Sequence, residues 1–209
     1  MDNVAHPLPM FPLSCVTFPG GELALQVFEP RYRVLARDLY RGGGRFGTVL
    51  ISRGSEVGGG ERRVRVGSLM RSVEIAPLRT GEFFLHAVAE ERLDVVSWLP
   101  DDPYPIALVQ RSELAPTVEP PDIDALLGSI SNYRERITSR GGDGQISNLV
   151  DLPMQAEERQ IWRLLDALPI GVFERQGLLE SLDLRELVKR GCIAIDHLVA
   201  LMDSYDFDA

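Results

Sequence analysis

From residue 8 to about residue 115, apolar stretches alternate with turn residues. The stretches are Leu23–Phe28, Phe46–Ile51, Val64–Met70, Val73–Ala76, Phe83–Ala89, Leu93–Trp98 and Ile106–Val109. Glycine, proline or charged residues separate most of them, as in SRGSEVGGGERR, PLRTGE and PDDPYP. Short strands spaced roughly 8–12 residues apart predict a closed or nearly closed antiparallel barrel. One helix interrupts them. Pro30 suits its first position, where a missing N–H costs nothing. Tyr32, Leu35 and Leu39 form one apolar stripe, and Gly42–Gly44 supply a C-cap.

The period changes after the proline-rich segment Ala115–Asp122 (APTVEPPD). Ile123, Leu126, Leu127, Ile130 and Tyr133 predict a helix starting after Asp122, and the loop SRGGDG at 139–144 breaks it. Met154–Leu168 is helical by period, with Ile161, Leu164, Leu165 and Leu168 on one face, and Pro169 and Gly171 stop it. Asp183 with Glu186 forms a D-x-x-E capping pattern ahead of Leu184, Leu187, Val188, Ile195, Leu198 and Met202. The expected layout is α+β, with a β-rich domain over residues 1–116 and an α-helical domain over 117–209.

Composition narrows the function. A chain of 209 residues buries roughly 70% of its unfolded surface and folds without disulfides or metal. Of the 22 basic residues, Lys189 is the single lysine, flanked by Val188 and Arg190. A phosphate-binding loop needs a lysine after glycine, so that class is excluded. The net charge of −9 disfavours nucleic acid as a partner, because such binding neutralises phosphates. Cys15 and Cys192 make no disulfide framework and suggest a reducing compartment. No signal peptide and no apolar run long enough to span a membrane stand out. The expected setting is the cytoplasm.

Searches for chemistry return packing. Gly42, Gly44 and Gly47 match G-x-G-x-x-G, but follow a helix and open a strand, the reverse of a dinucleotide site. Gly58–Gly60 reads as a hairpin tip. The candidate metal ligands His6, His86, His197, Cys15 and Cys192 lack ligand spacing, and Cys192 and His197 lie roughly 140° apart on a helix. Cys15 reads as a small buried hydrophobe, His86 as a hydrogen-bonded core or barrel-wall histidine, and Lys189 as a solvated surface residue. Glu90 and Glu91 point to opposite faces of a strand. No catalytic group, cofactor or metal site is expected.

One motif points to a family. The segment LPMFPLSCVTFPGGELALQVFEPRYRVLARDL, residues 8–39, resembles the N-terminal domain of Lon proteases, especially its small stand-alone bacterial members. It carries an L-P-x-F-P-L opening (Leu8–Leu13), an F-P-G turn (Phe18–Gly20), an alternating strand (Leu23–Val27) and F-E-P-R-Y (Phe28–Tyr32). FGTVLI (46–51), VGSLMRSVEI (66–75), AEERLDVVSW (89–98) and LPMQAEERQIWRLLDAL (152–168) are similar to later parts of the family. The resemblance implies a PUA-like antiparallel β pseudo-barrel with one inserted helix, followed by a C-terminal α-helical bundle. It also implies a non-enzymatic module that binds unfolded or tagged polypeptides or a partner protein, as an adaptor in protein quality control. No counterpart of the ATPase and serine–lysine protease domains of full-length Lon is expected within these residues. Glu29 and Arg31 are a candidate contact surface, and Trp98, Tyr104, Trp162 and Phe173 are candidates to line a groove between the domains. Strand addition at an open barrel edge is a second route. The alternative is a barrel that binds RNA or a small ligand. The oligomeric state stays open between monomer and weak dimer.

Overall fold

Three prolines in the first eight-residue strand decide how it pairs. A computed structural model describes residues 4–42, 44–53, 62–116, 121–141 and 157–205. They fall into two compact units, Met1–Glu113 and Leu114–Ala209. In the first, β1 (His6–Leu13) runs antiparallel to β6 (Ile106–Ser112) over His6–Pro9, then parallel to β3 (Arg45–Arg53) over Met10–Leu13. The Met10 N–H donates to the Pro105 carbonyl at 2.8 Å, so even-numbered nitrogens of β1 face β6 and odd-numbered ones face β3. Pro7 and Pro9 therefore face β3 before its pairing begins, and Pro12 faces β6 after its pairing ends. Each missing N–H falls where no ladder needs it.

The remaining strands are β2 (Glu22–Val27), β4 (Arg62–Pro77) and β5 (Phe83–Trp98), and the helix α1 (Pro30–Gly42) follows β2. The sheet order is β2-β5-β4-β3-β1-β6, with a further β5–β6 pairing that closes β5, β4, β3, β1 and β6 into a ring. The barrel is thus mixed, not wholly antiparallel, because β1 and β3 run parallel. Two pairs of short strands are also single long ones. Val64–Met70 and Val73–Ala76 belong to β4, and Phe83–Ala89 and Leu93–Trp98 to β5, each of 16 residues. The charges between them do not break the strands, because they pair sideways. Glu90 accepts from Arg71 at 2.8 Å and from Arg45 at 2.6 Å.

β5 serves two partners on one edge. Phe83–Val88 pairs with β2, and Arg92–Trp98 pairs with β6. Beyond the ring, β2, the first half of β5 and the second half of β4 form a three-stranded flap. Leu23, Val27, Phe83, Leu85 and Ala87 on one face of it join the α1 stripe of Tyr32, Leu35, Ala36 and Leu39 in one core. Phe11 stacks on Tyr32 there with ring centroids 4.0 Å apart. A second cluster, including Leu8, Met10, Val49, Leu93, Val95, Ala107 and Val109, fills the barrel. The turn before β2 has the foreseen form: Gly20 adopts φ 85° and the Gly21 N–H donates to the Phe18 carbonyl at 2.8 Å.

The second unit contains α2 (Ile123–Ser139), α3 (Glu158–Asp166), α4 (Val172–Leu179) and α5 (Leu184–Tyr205). Asp122 caps α2 by accepting from the Ala125 N–H at 2.9 Å. Asp183 does the same for α5 through the Glu186 N–H, 2.8 Å, while the Glu186 carboxylate accepts from the Leu182 N–H. Leu126, Ile161, Leu165, Leu187 and Ile195 are buried at the centre of their helices' apolar faces. Asp122→Ala is expected to cost about 1 kcal/mol in urea unfolding, the usual value of an N-cap. Parts of the loops 115–122, 139–144 and 152–157, Gly43 and the whole Gly58–Gly60 tip lie outside the described residues.

Candidate functional site

The residues singled out from sequence form separate local contacts. Glu29 and Arg31 pair with each other at 3.3 Å, with side chains only 14% and 20% exposed. The Arg31 guanidinium lies 4.5 Å from the Tyr32 ring centroid. Trp98 packs against the barrel cluster under Arg63, whose guanidinium is 4.2 Å from its ring and 3.2 Å from Asp101. The Tyr104 hydroxyl donates to Asp38 at 3.1 Å; burial, then this bond and the Asp38 charge, raise its pKa. Trp162 is 1% exposed in α3, and its indole N–H donates to Glu158 at 2.9 Å. Phe173, at the start of α4, is 68% exposed.

One residue corrects the sequence reading. Cys15 is exposed, because β1 ends at Leu13 and the turning chain assigns Val16 and Phe18 to the core. His86 is a wall histidine on the flap's outer face, and its Nε2 is 3.2 Å from a Glu22 carboxylate oxygen. Lys189 is exposed. Cys192 is half-buried, and burial raises its thiol pKa. Among the described residues no group of His, Cys, Asp and Glu is placed to hold a metal, and no helix is long and apolar enough to cross a membrane.

What sequence reasoning did not locate is an open strand edge. Among the described residues β2 pairs only with β5. The Ala89 N–H donates to the Gly21 carbonyl at 2.9 Å, and the register pairs Leu23 with Ala87 and Leu25 with Leu85. Antiparallel ladders alternate, so odd-numbered residues of β2 bond to β5. Glu22, Ala24 and Gln26 then direct their N–H and C=O groups outward. Their side chains share the flap's outer face with half-buried Phe84, His86 and Val88 of β5 and with Glu74 and Ala76 of β4. An edge of this kind can accept another extended chain.

A second feature is a concavity at one end of the barrel, with a volume of about 750 Å³. Buried Leu8, Leu93 and Val109 and half-buried Leu69 form its apolar part. Val4, His6, Arg45, Glu91, Arg92, Gln110, Arg111 and Glu113 complete its lining. Arg111 lies 2.8 Å from Glu91 and 3.1 Å from Glu113. Arg92 is 6% exposed.

The family model described as the ATP-dependent protease La (LON) substrate-binding domain matches residues 7–197. Among solved structures, the crystal structure of a Lon N-terminal domain protein from Xanthomonas campestris is similar, with a TM-score of 0.60 and 24% identity. The alignment covers 93% of this chain and 98% of that one. The N-terminal domain of Mycobacterium avium complex Lon protease aligns with a TM-score of 0.59 and 13% identity, over 93% of this chain and 98% of that chain. At these identities the two structures establish a common fold. No curated protein matches the chain.

Proposed function

Because the chain belongs to the Lon substrate-binding domain family, we propose that it is a non-catalytic module that recognises extended segments of unfolded or tagged polypeptides. The family match across residues 7–197 carries this reading. The open β2 edge supplies a physical route: a bound segment adds as a further strand on Glu22, Ala24 and Gln26, and the outer face of the flap receives its alternate side chains. An adaptor role in protein quality control, in the cytoplasm, extends the same reading, as does a PUA-like relationship of the barrel. The contacts of Glu29, Arg31, Trp98 and Tyr104 support roles in fixing α1 and the barrel wall.

Fluorescence anisotropy tests the reading with one labelled protein in two forms, native and permanently unfolded by reduction and alkylation. The unfolded form is expected to bind and the native form not. An RNA of similar mass should show no binding that weakens with salt, since the chain carries a net −9. Equal binding of both protein forms, or salt-dependent capture of the RNA alone, overturns the proposal.

A further inference from the structure

The solvent face of α1 carries a row of positive charge that has no part in strand addition at β2. Arg33, Arg37 and Arg41 follow at four-residue intervals, so they stand about 6 Å apart along the axis, each turned by roughly 40° from the last. Arg37 and Arg41 are exposed and Arg33 is half-buried. The Arg33 guanidinium lies at the β4–β5 turn, where a β-carbon on Gly81 would stand 3.0 Å from its Nη2. Tyr40, 58% exposed, borders the row and adds a hydroxyl donor. In the barrel wall, Arg45 and Arg71 are matched by Glu90, Arg63 by Asp101 and Arg111 by Glu91. Among the described residues, none of the three α1 side chains has an ion-pair partner. The two carboxylates nearest in sequence are engaged, Glu29 by Arg31 and Asp38 by Tyr104. Asp38 also stands about 100° round the helix from Arg37. Like charges four residues apart repel and weaken a helix, a cost that a bound row of carboxylates would remove.

Charge is divided unevenly between the two units. Met1–Glu113 holds 13 basic and 14 acidic residues, so −8 of the net −9 falls on Leu114–Ala209. An anion approaching α1 therefore meets three arginines on a unit close to neutral. An extended polypeptide presents alternate side chains about every 6.6 Å, close to the spacing of the row. We propose that the exposed face of α1 docks an acidic polypeptide segment, with Asp or Glu at alternate positions set against Arg33, Arg37 and Arg41. This rests on the polypeptide-binding reading and adds a substrate class to it, unfolded chains that carry an acidic run. Strand addition at β2 would read main chain, and α1 carboxylates. RNA fits less well, because its charges continue on every nucleotide beyond a row about 12 Å long and meet a chain of net −9. A second copy fits less well too. Its helical unit spends Asp166, Glu174, Glu186 and Asp203 on its own Arg175, His197, Arg190 and Arg136.

The test uses the full chain and a rhodamine-labelled peptide of alternating Glu and Ser, beside the same peptide with Gln in place of Glu. In anisotropy titrations at about 0.01 M salt, where the screening length is about 30 Å, the Glu peptide is expected to bind roughly tenfold more tightly or better. Each exposed pair is weak by itself, and the advantage should shrink toward about 0.15 M salt, where that length is about 8 Å. Arg37→Glu with Arg41→Glu should abolish it. Should that variant fail to fold, Arg37→Gln with Arg41→Gln should remove most of it. Arg159→Glu with Arg163→Glu, at exposed positions four apart on α3, changes the net charge as much as the reversal on α1 and should retain the preference. Equal affinity of the two peptides, a preference that survives the folded α1 variants, or an equal loss in the α3 variant overturns the inference. So does tighter binding of a short RNA through the same arginines, or self-association in sedimentation that the α1 reversal removes. Binding of an unfolded protein poor in Asp and Glu, measured in parallel, separates the two readings. If it persists while the Glu and Gln peptides bind alike, only the acidic preference falls; if nothing binds, both fall.

Discussion

Gly67→Ala is expected to destabilise the barrel unit by about 3 kcal/mol or more, at the upper end of overpacking costs. Gly67 lies in β4 opposite Val49 of β3. A β-carbon there would be driven into the backbone carbonyl oxygen of Thr48 and stand 2.7 Å from the Val49 Cγ1. The first neighbour is main chain in a paired strand, so relief requires moving β3 against β4. Thr48 and Val49 are both buried, and the interior has no slack to absorb the shift. Gly47→Ala is the control. Its β-carbon would stand 2.5 Å from the Met10 Sδ and 2.7 Å from its Cε, the far end of a flexible side chain that can rotate away. Urea unfolding should therefore show a clear loss of midpoint for Gly67→Ala and a smaller one for Gly47→Ala. Equal losses would mean that β3 and β4 are less tightly joined there than the register implies.

Ala24→Pro is expected to weaken unfolded-polypeptide binding by roughly tenfold or more while leaving the barrel folded. Ala24 is exposed and its N–H faces away from β5, so proline removes a donor that the native sheet does not use. An added strand would use it. That strand would also meet the pyrrolidine ring at the centre of a six-residue edge, so at least one ladder bond and its neighbours are lost, each worth about 1 kcal/mol. Anisotropy titrations beside thermal melts check both halves of the expectation. Unchanged affinity in a folded variant would remove β2 as the docking edge.

The parts of the fold that were legible in sequence were the local ones. Proline at position 30, the Tyr32–Leu35–Leu39 stripe and the trailing glycines specify α1 without reference to the rest of the chain. Asp122 and Asp183 mark their helix starts for the same reason. The parallel β1–β3 pair was not legible, because Pro7, Pro9 and Pro12 argue against a strand unless the change of partner at Met10 is known. Long β4 and β5 were read as pairs of short strands. The charges that seemed to break them find partners only across the sheet, as Arg45 and Arg71 do at Glu90. Of the site, the N-terminal motif gave the family, but neither the β2 edge nor the cavity. Whether a strand is an edge depends on the ring closing elsewhere, through the β5–β6 pairing. Leu93 and Arg111 line the cavity together because they are opposite each other across β5 and β6, and no local pattern announces it.

Amide hydrogen exchange, read residue by residue in the presence of a saturating unfolded polypeptide, bears most directly on the central claim. The N–H groups of Glu22, Ala24 and Gln26 point outward from β2 and should exchange quickly in the unbound chain, then slow markedly on binding. The inward N–H groups of Leu23 and Leu25 should change far less. Protection confined to α2–α5, or binding with no slowing at those three amides, would contradict recognition by strand addition.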